Sequence, residues 1–195
     1  DVSGNFDAYR SKLEYVNPDC VFGGKVDIGE TNIKEWHCDV GGDFSAEWSK
    51  LESVNPECKF GGDVDISGSN LKEWHNDVLV FFNACSSKLE YVNPKCKFSG
   101  GVSISGSNLK EWNHDVPGAF FAGYSKLEYV NPDCVFGGYV DIRKTSIKEW
   151  HCNVPGNFDA EDSNLEKIVD CKIEGNIHCD DNVEIINEKK HTMRM

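Results

Sequence analysis

Long apolar runs are missing from this sequence. The longest, Val78-Leu79-Val80-Phe81-Phe82, falls far short of the roughly 20 residues that a membrane-spanning helix requires. Positive charge is scarce too: 20 Lys and Arg face 33 Asp and Glu, for a net charge of −13. That balance argues against nucleic acid and against anionic membrane surfaces, both of which need a basic face. It leaves a solvated acidic surface or a contact with basic partners or cations. Catalytic signatures are absent, with no G-x-S-x-G elbow and no H-E-x-x-H pair. The Gly-Gly pairs precede strand-like residues, so they present no helix N-terminus to a phosphate. No segment keeps a 3.6-residue apolar period for the length of an ordinary helix. The expectation is a protein that is not an enzyme, has no cofactor and does not insert into a membrane.

What the chain does have is a repeat. The stretch Ser11 to Trp36 returns with starts at Ser49, Ser87 and Ser125 and ends at Trp74, Trp112 and Trp150, each 38 residues after the last. A fixed period of this length marks an array whose units stack and touch only their neighbours. Each unit is itself double. Gly4, Gly24, Gly42, Gly62, Gly100, Gly118, Gly138, Gly156 and Gly175 precede Phe6, Val26, Phe44, Val64, Val102, Phe120, Val140, Phe158 and Ile177 by two positions. Phe82 fits the same column, with Val80 in place of its glycine. Steps of 18–20 residues therefore give about ten coils.

Within each coil the pattern is G-x-[VF]-x-[IA]-x-x-[ST]-x-[LI]-x-x-[VW], and its V-D-I core alternates as a half-buried strand does. The predicted fold is an all-β solenoid over 1–180 with one short strand per coil, followed by a cap and tail over 181–195 with Lys189, Lys190 and Arg194 near its end. Ten coils at one strand spacing would be about 48 Å long. The chain opens on Asp1, just before a turn glycine, and reads as part of a longer array.

The frame L-x-L-x-x-N-x-L maps onto Val64, Ile66, Ser69 and Leu71 and similarly onto the other coils. In this the chain resembles the short, roughly twenty-residue leucine-rich repeats of bacterial effector and surface proteins. The match is loose: Thr31, Ser49, Ser69, Ser87, Ser107, Ser125, Thr145 and Ser163 stand where that family has asparagine, and leucine gives way to Val, Ile, Phe and Ala. A leucine-rich horseshoe and a straighter parallel β-helix both remain open.

Val16, Trp36, Val54, Trp74, Val92, Trp112, Val130 and Trp150 alternate small and large at one corner. Large over small is how stacked layers interdigitate, so these tryptophans are expected in the core and the period is 38 instead of 19. The V-N-P-[DEK]-C segments form longer corners that alternate with shorter ones lacking that proline. Seven of the nine cysteines share one column, Cys20, Cys38, Cys58, Cys96, Cys134, Cys152 and Cys171, with Asn76 and His114 in its gaps. Neighbouring members would lie about 4.8 Å apart, within reach of a disulfide, but the column splits three, one and three. Reduced, buried thiols filling a corner are the preferred reading. That favours an intracellular setting, with a secreted or surface one as the alternative. A thiol-based metal or redox protein is the sharper alternative, since His37, His75 and His151 stand close to this column.

The outward strand row runs Asp7, Asp27, Ser45, Asp65, Asn83, Ser103, Phe121, Asp141 and Asp159. Its acidity is interrupted from Asn83 to Phe121, where Leu79, Phe81 and Phe121 can form an apolar spot framed by Asp65 and Asp141. The candidate binding residues are Asp27, Asp65, Leu79, Phe81, Asn83, Ser103, Phe121, Asp141 and Asp159. The expected function is protein binding or a structural role through this face. Self-assembly through the solenoid ends, by an unpaired strand edge, is a further alternative.

Overall fold

The computed structural model describes residues 2–187. Ten two-residue strands, from Phe6–Asp7 and Val26–Asp27 through Phe158–Asp159 to Ile177–His178, form one parallel sheet whose spatial order is their order in the chain. The register is the one the glycine columns imply: Phe6 faces Val26, Val26 faces Phe44, Phe82 lies between Val64 and Val102, and Phe158 faces Ile177. The chain is thus an all-β parallel solenoid of about ten coils, with no helix among the described residues.

Each coil has more extended structure than one strand. A second side carries short parallel ladders, such as Glu35–Trp36 with Ser53–Val54 and Glu73–Trp74 with Tyr91–Val92. The third carries Val21–Phe22 beside Asp39–Val40, continued by bridges such as Val40 to Phe60 and Val78 to Phe98. The sequence pattern gives these segments only one inward residue, Trp, Val or Phe. They pair because the coil above supplies an identical backbone at strand spacing. The coil is three-sided, with a ten-stranded face, a tryptophan face and a phenylalanine face.

A tight turn ends every strand on the long sheet. Thr31 N–H and Oγ1 both donate to the Ile28 carbonyl, at 3.4 and 2.7 Å, and Ser49, Ser87 and Ser125 hold Ala46, Ala84 and Ala122 in the same way. The residue before each hydroxyl is left-handed: Arg10, Glu30, Trp48, Gly68, Ser86, Gly106, Tyr124, Lys144 and Asp162 all have φ between 53° and 67°. Only two are glycine. For an L-residue this conformation costs about 1–2 kcal/mol, which stacking of the coils must offset. The glycine column beside the strands answers a different need, close approach: a Cβ on Gly100 would strike the Val80 carbonyl of the coil below.

The core explains the doubled period. A coil with Val26 on the sheet places Trp36 and Val40 on its other sides, and the next coil places Phe44, Val54 and Phe60. Total volume stays nearly constant while bulk shifts from side to side, and Ile28 over Ala46 makes the same exchange. Trp36, Trp74, Trp112 and Trp150 are at most 1% exposed, as their spacing implied. Rings from Phe6 to Phe158 form an unbroken stack along the axis, two Phe between each Trp and the next, with centroids 5.0–5.7 Å apart. Tilted contacts at this separation add to plain area burial.

Inward residues of the first coil, Phe6, Leu13 and Val16, are only half-buried, as are few in the middle. The region assigned to a cap and tail lies partly outside the described residues; inside them, Glu184–Ile186 extends the tryptophan-face ladder by pairing with Lys167–Val169.

Two outcomes follow from this core. Trp74→Ala should lower unfolding stability by about 3–5 kcal/mol, measured by urea titration, whereas the same change at exposed Trp48 should cost far less. His114 is 6% exposed, and burial pulls its pKa below the usual histidine value. Its contribution to stability is therefore full above about pH 6.5 and lost as the pH falls below that value, because the unfolded chain takes the proton more readily. His114→Cys should flatten the decline of the urea midpoint between pH 7 and pH 5.

Candidate functional site

The outward row assembles as a continuous line across the ten-stranded face. Asp27, Ser45 and Asp65 are paired in succession, then Asn83, Ser103, Phe121, Asp141 and Asp159. Of the candidate residues only Leu79 and Phe81 lie off this line. Phe81 sits one row before the strands, where its ring covers Gly101; a Cβ there would come within 3.0 Å of ring carbons. Leu79 is 56% exposed and lies around the corner, lining a groove with His75 and Asn76. The apolar spot therefore consists of Phe81 and Phe121, two coils apart, with Leu79 at its margin.

The structure adds residues that the strand row alone did not reveal. Tyr139 packs on Phe121 with ring centroids 5.6 Å apart, and its hydroxyl donates to Asp159 at 3.3 Å. Burial, together with the charges of Asp141 and Asp159, pushes the Tyr139 phenol up to about 12. Gly101, Ser103 and Ala119 make a floor of small residues between Phe81 and the Phe121–Tyr139 pair. Reading the column that holds Asp63, Phe81, Gly101, Ala119 and Tyr139 beside the strand column would have found Tyr139.

The aspartates have a local task that the sequence reading missed. The Asp7, Asp27, Asp65 and Asp141 carboxylates each accept the backbone N–H two residues on, at 2.8–3.0 Å, and Asn83 does the same for Cys85 at 3.1 Å. Each caps the left-handed corner that follows. Asp141 is also held by both arms of Arg143, at 3.1 and 2.9 Å, and Arg143 reaches Asp159 at 3.4 Å. The C-terminal frame of the spot is thus an Asp–Arg–Asp cluster with one cation between two carboxylates, while among the described residues the N-terminal frame of Asp63 and Asp65 has no such cation. Asp65 instead accepts from Asn83 Nδ2 at 2.9 Å and from Ser67 Oγ at 2.6 Å.

The cysteine column lies where the register put it. All nine cysteines are free, and five members of the column are buried. Their role is donation across coils: Cys38 Sγ donates to the Asn17 carbonyl and Cys152 Sγ to that of Asn131, both at 3.3 Å. Asn76 fills its gap by giving Nδ2 to the Asn55 and Cys58 carbonyls at 2.9 Å, and His114 lies 3.2 Å from the Cys96 carbonyl. The residues of the gaps are alternative donors for one job. Burial pushes Cys58 and Cys152 up to about 12 and Cys96 and Cys134 up to about 11. Thiolate, the nucleophilic and metal-binding form, is scarce at these four positions at neutral pH. Among the described residues no three His, Cys, Asp or Glu side chains converge to hold a metal.

Compared with protein-family models, curated proteins and solved structures, the chain matches none. The geometry must carry the functional reading alone.

A thiol reagent applied to the native protein at pH 7 should leave Cys58, Cys96, Cys134 and Cys152 unmodified and reach all nine cysteines once the chain is denatured. Peptide mapping of the labelled sites checks this.

Proposed function

We propose that the protein is a non-enzymatic scaffold that binds a protein partner through the interrupted stretch of its ten-stranded face. The observation that carries this reading is the one break in a periodic surface. Elsewhere between Asp7 and Asp159 the row offers a capping carboxylate or a serine, and here Phe81, Phe121 and Tyr139 rim a floor of glycine, serine and alanine. An apolar patch with a polar border is the form of a contact site. Its unneutralised acidic end, Asp63 and Asp65, favours a partner that brings an apolar side chain flanked by a basic one. Rigidity helps, because a preformed face loses little conformational entropy on binding.

The kinship with bacterial leucine-rich repeats belongs to the same proposal. Its support is the shared frame of inward aliphatic residues and the coil length. Pairing on three sides of each coil favours the parallel β-helix form of that reading over the horseshoe.

The double variant Phe81→Ser and Phe121→Ser tests the site. Both side chains project from the sheet, so the fold should persist while capture of a partner from the native source falls at least tenfold. A control change on the phenylalanine face, Lys97→Ser, should leave capture intact. Equal capture by all three proteins would show that the contact lies elsewhere.

A further inference from the structure

The tryptophan face has outward rows of its own. The residues that precede each inward Trp or Val run Tyr15, Glu35, Ser53, Glu73, Tyr91, Glu111, Tyr129 and Glu149, with Glu35 facing Ser53, Glu73 facing Tyr91 and Glu111 facing Tyr129 across adjacent coils. Tyrosine therefore recurs at every second coil except at Ser53. Tyr15, Tyr91 and Tyr129 are 68%, 43% and 47% exposed. Each borders a groove, with volumes of about 420, 570 and 540 Å³. The groove at Tyr91 reaches to Lys126, and the one at Tyr129 starts from Glu128 on the same coil, so the two follow one another along the axis without sharing a lining residue.

Part of the charge along this face is paired between coils, while Lys72, Glu90 and Lys126 have no ion pair among the described residues. Lys34 meets Glu52, Lys110 meets Glu128 and Lys148 meets Glu166 between coils, at 3.5, 3.2 and 3.7 Å. In the tyrosine row Glu35, Glu73 and Glu149 each lie 3.1–3.4 Å from a histidine, His37, His75 and His151. Glu111 has Asn113 at that place and no ion pair among the described residues. It stands on the coil between Tyr91 and Tyr129.

We propose that this face is a docking groove for a proline-rich segment in the polyproline II conformation that carries a basic residue, with proline rings on Tyr91 and Tyr129 and the basic side chain on Glu111. Two observations choose this occupant. Two coils advance about 9.6 Å, and three residues of a polyproline II helix advance about 9.3 Å. Such a ligand lying along the axis returns the same edge to each tyrosine. Aromatic-lined grooves recognise this conformation because it is already ordered and exposes no backbone donors from its prolines. Glu111 between the two rings, with Glu90 beside Tyr91 in the same groove, supplies carboxylates without an ion pair among the described residues for one arginine or lysine. The groove lies on a different face from the contact proposed above and does not depend on it.

The test uses the whole protein and fluorescein-labelled synthetic peptides followed by anisotropy. The probe is a peptide of repeated Pro-Pro-Ala triplets with one internal arginine. Tyr91→Ala and Tyr129→Ala should each weaken its binding about tenfold or more, and Glu111→Gln should weaken this peptide but not one with alanine for the arginine. Ser53→Tyr, which completes the tyrosine row, should tighten binding of a peptide long enough to span from Tyr15 to Tyr129 and leave a six-residue peptide unchanged. Retained thiol protection confirms that each variant is folded. The proposal is overturned if the peptide does not bind at millimolar concentration. It is also overturned if inserting one residue between triplets makes no difference, or if a β-linked oligosaccharide competes with the same tyrosine dependence and binds more tightly.

Discussion

One constraint governs this molecule: every coil must fill the same cross-section while lying one strand spacing from its neighbours. Nothing in a parallel stack lets a coil bulge without lifting the next. Large residues can enter only where the coils above and below are small. Val26, Trp36 and Val40 in one coil against Phe44, Val54 and Phe60 in the next satisfy that rule on all three sides at once. The consequence is the axial stack of rings, in which each Trp bridges Phe residues of the coils on either side at 5.0–5.7 Å. Each Trp Nε1 also finds a carbonyl on its own coil, at 2.7–2.8 Å, so the largest buried side chains leave no polar atom unpaired.

Constant cross-section also fixes the corners. A two-residue strand must turn sharply and alike from coil to coil, which puts one residue after each of the first nine strands of the long sheet in the left-handed region whether or not it is glycine. The serine or threonine after it and the aspartate or asparagine before it hold the turn from both sides. The acidic excess of the ten-stranded face thus has a structural origin. Aspartate is there first to cap a corner, and the field it creates comes as a by-product. This is why Phe121, which cannot cap, and Ser103, whose hydroxyl pairs with Cys85 at 2.8 Å, mark a departure that needs a reason of its own.

The fold was legible because a repeat converts sequence columns directly into spatial rows. Gly24, Gly62 and Gly138 predicted the register of Val26, Val64 and Val140, and the alternation of Val and Trp predicted burial. The second and third strand contacts of each coil were not legible, since Glu35–Trp36 and Val21–Phe22 have only one inward residue each and too short a pattern to signal a strand. Site reading was weaker for a related reason. Sequence columns hold the residues of one row, but Tyr139 joins Phe121 diagonally, across rows, and Arg143 joins Asp141 to Asp159 by a reach that only rotamers define. Leu79 fell beyond the corner because the Val80 substitution hid where the face ends.

A stacked rod can offer two kinds of recognition, and the two proposals made for this one are one of each. Rows repeat at a fixed advance, so a periodic surface selects ligands that share its period and is indifferent to where along the axis they start. The tyrosine row as proposed is of this kind, since linked sites gain from each further contact when the spacing matches. A break in the repeat works in the opposite way. Phe81, Phe121 and Tyr139 occur together once, so a partner that fits them is held at one position on the rod. Chemistry that needs several unlike groups to converge at a point is poorly served by either surface, because neighbouring coils place like beside like. The same stacking rule that buries the tryptophans therefore also shapes the outside, where rows of like residues are broken at few places.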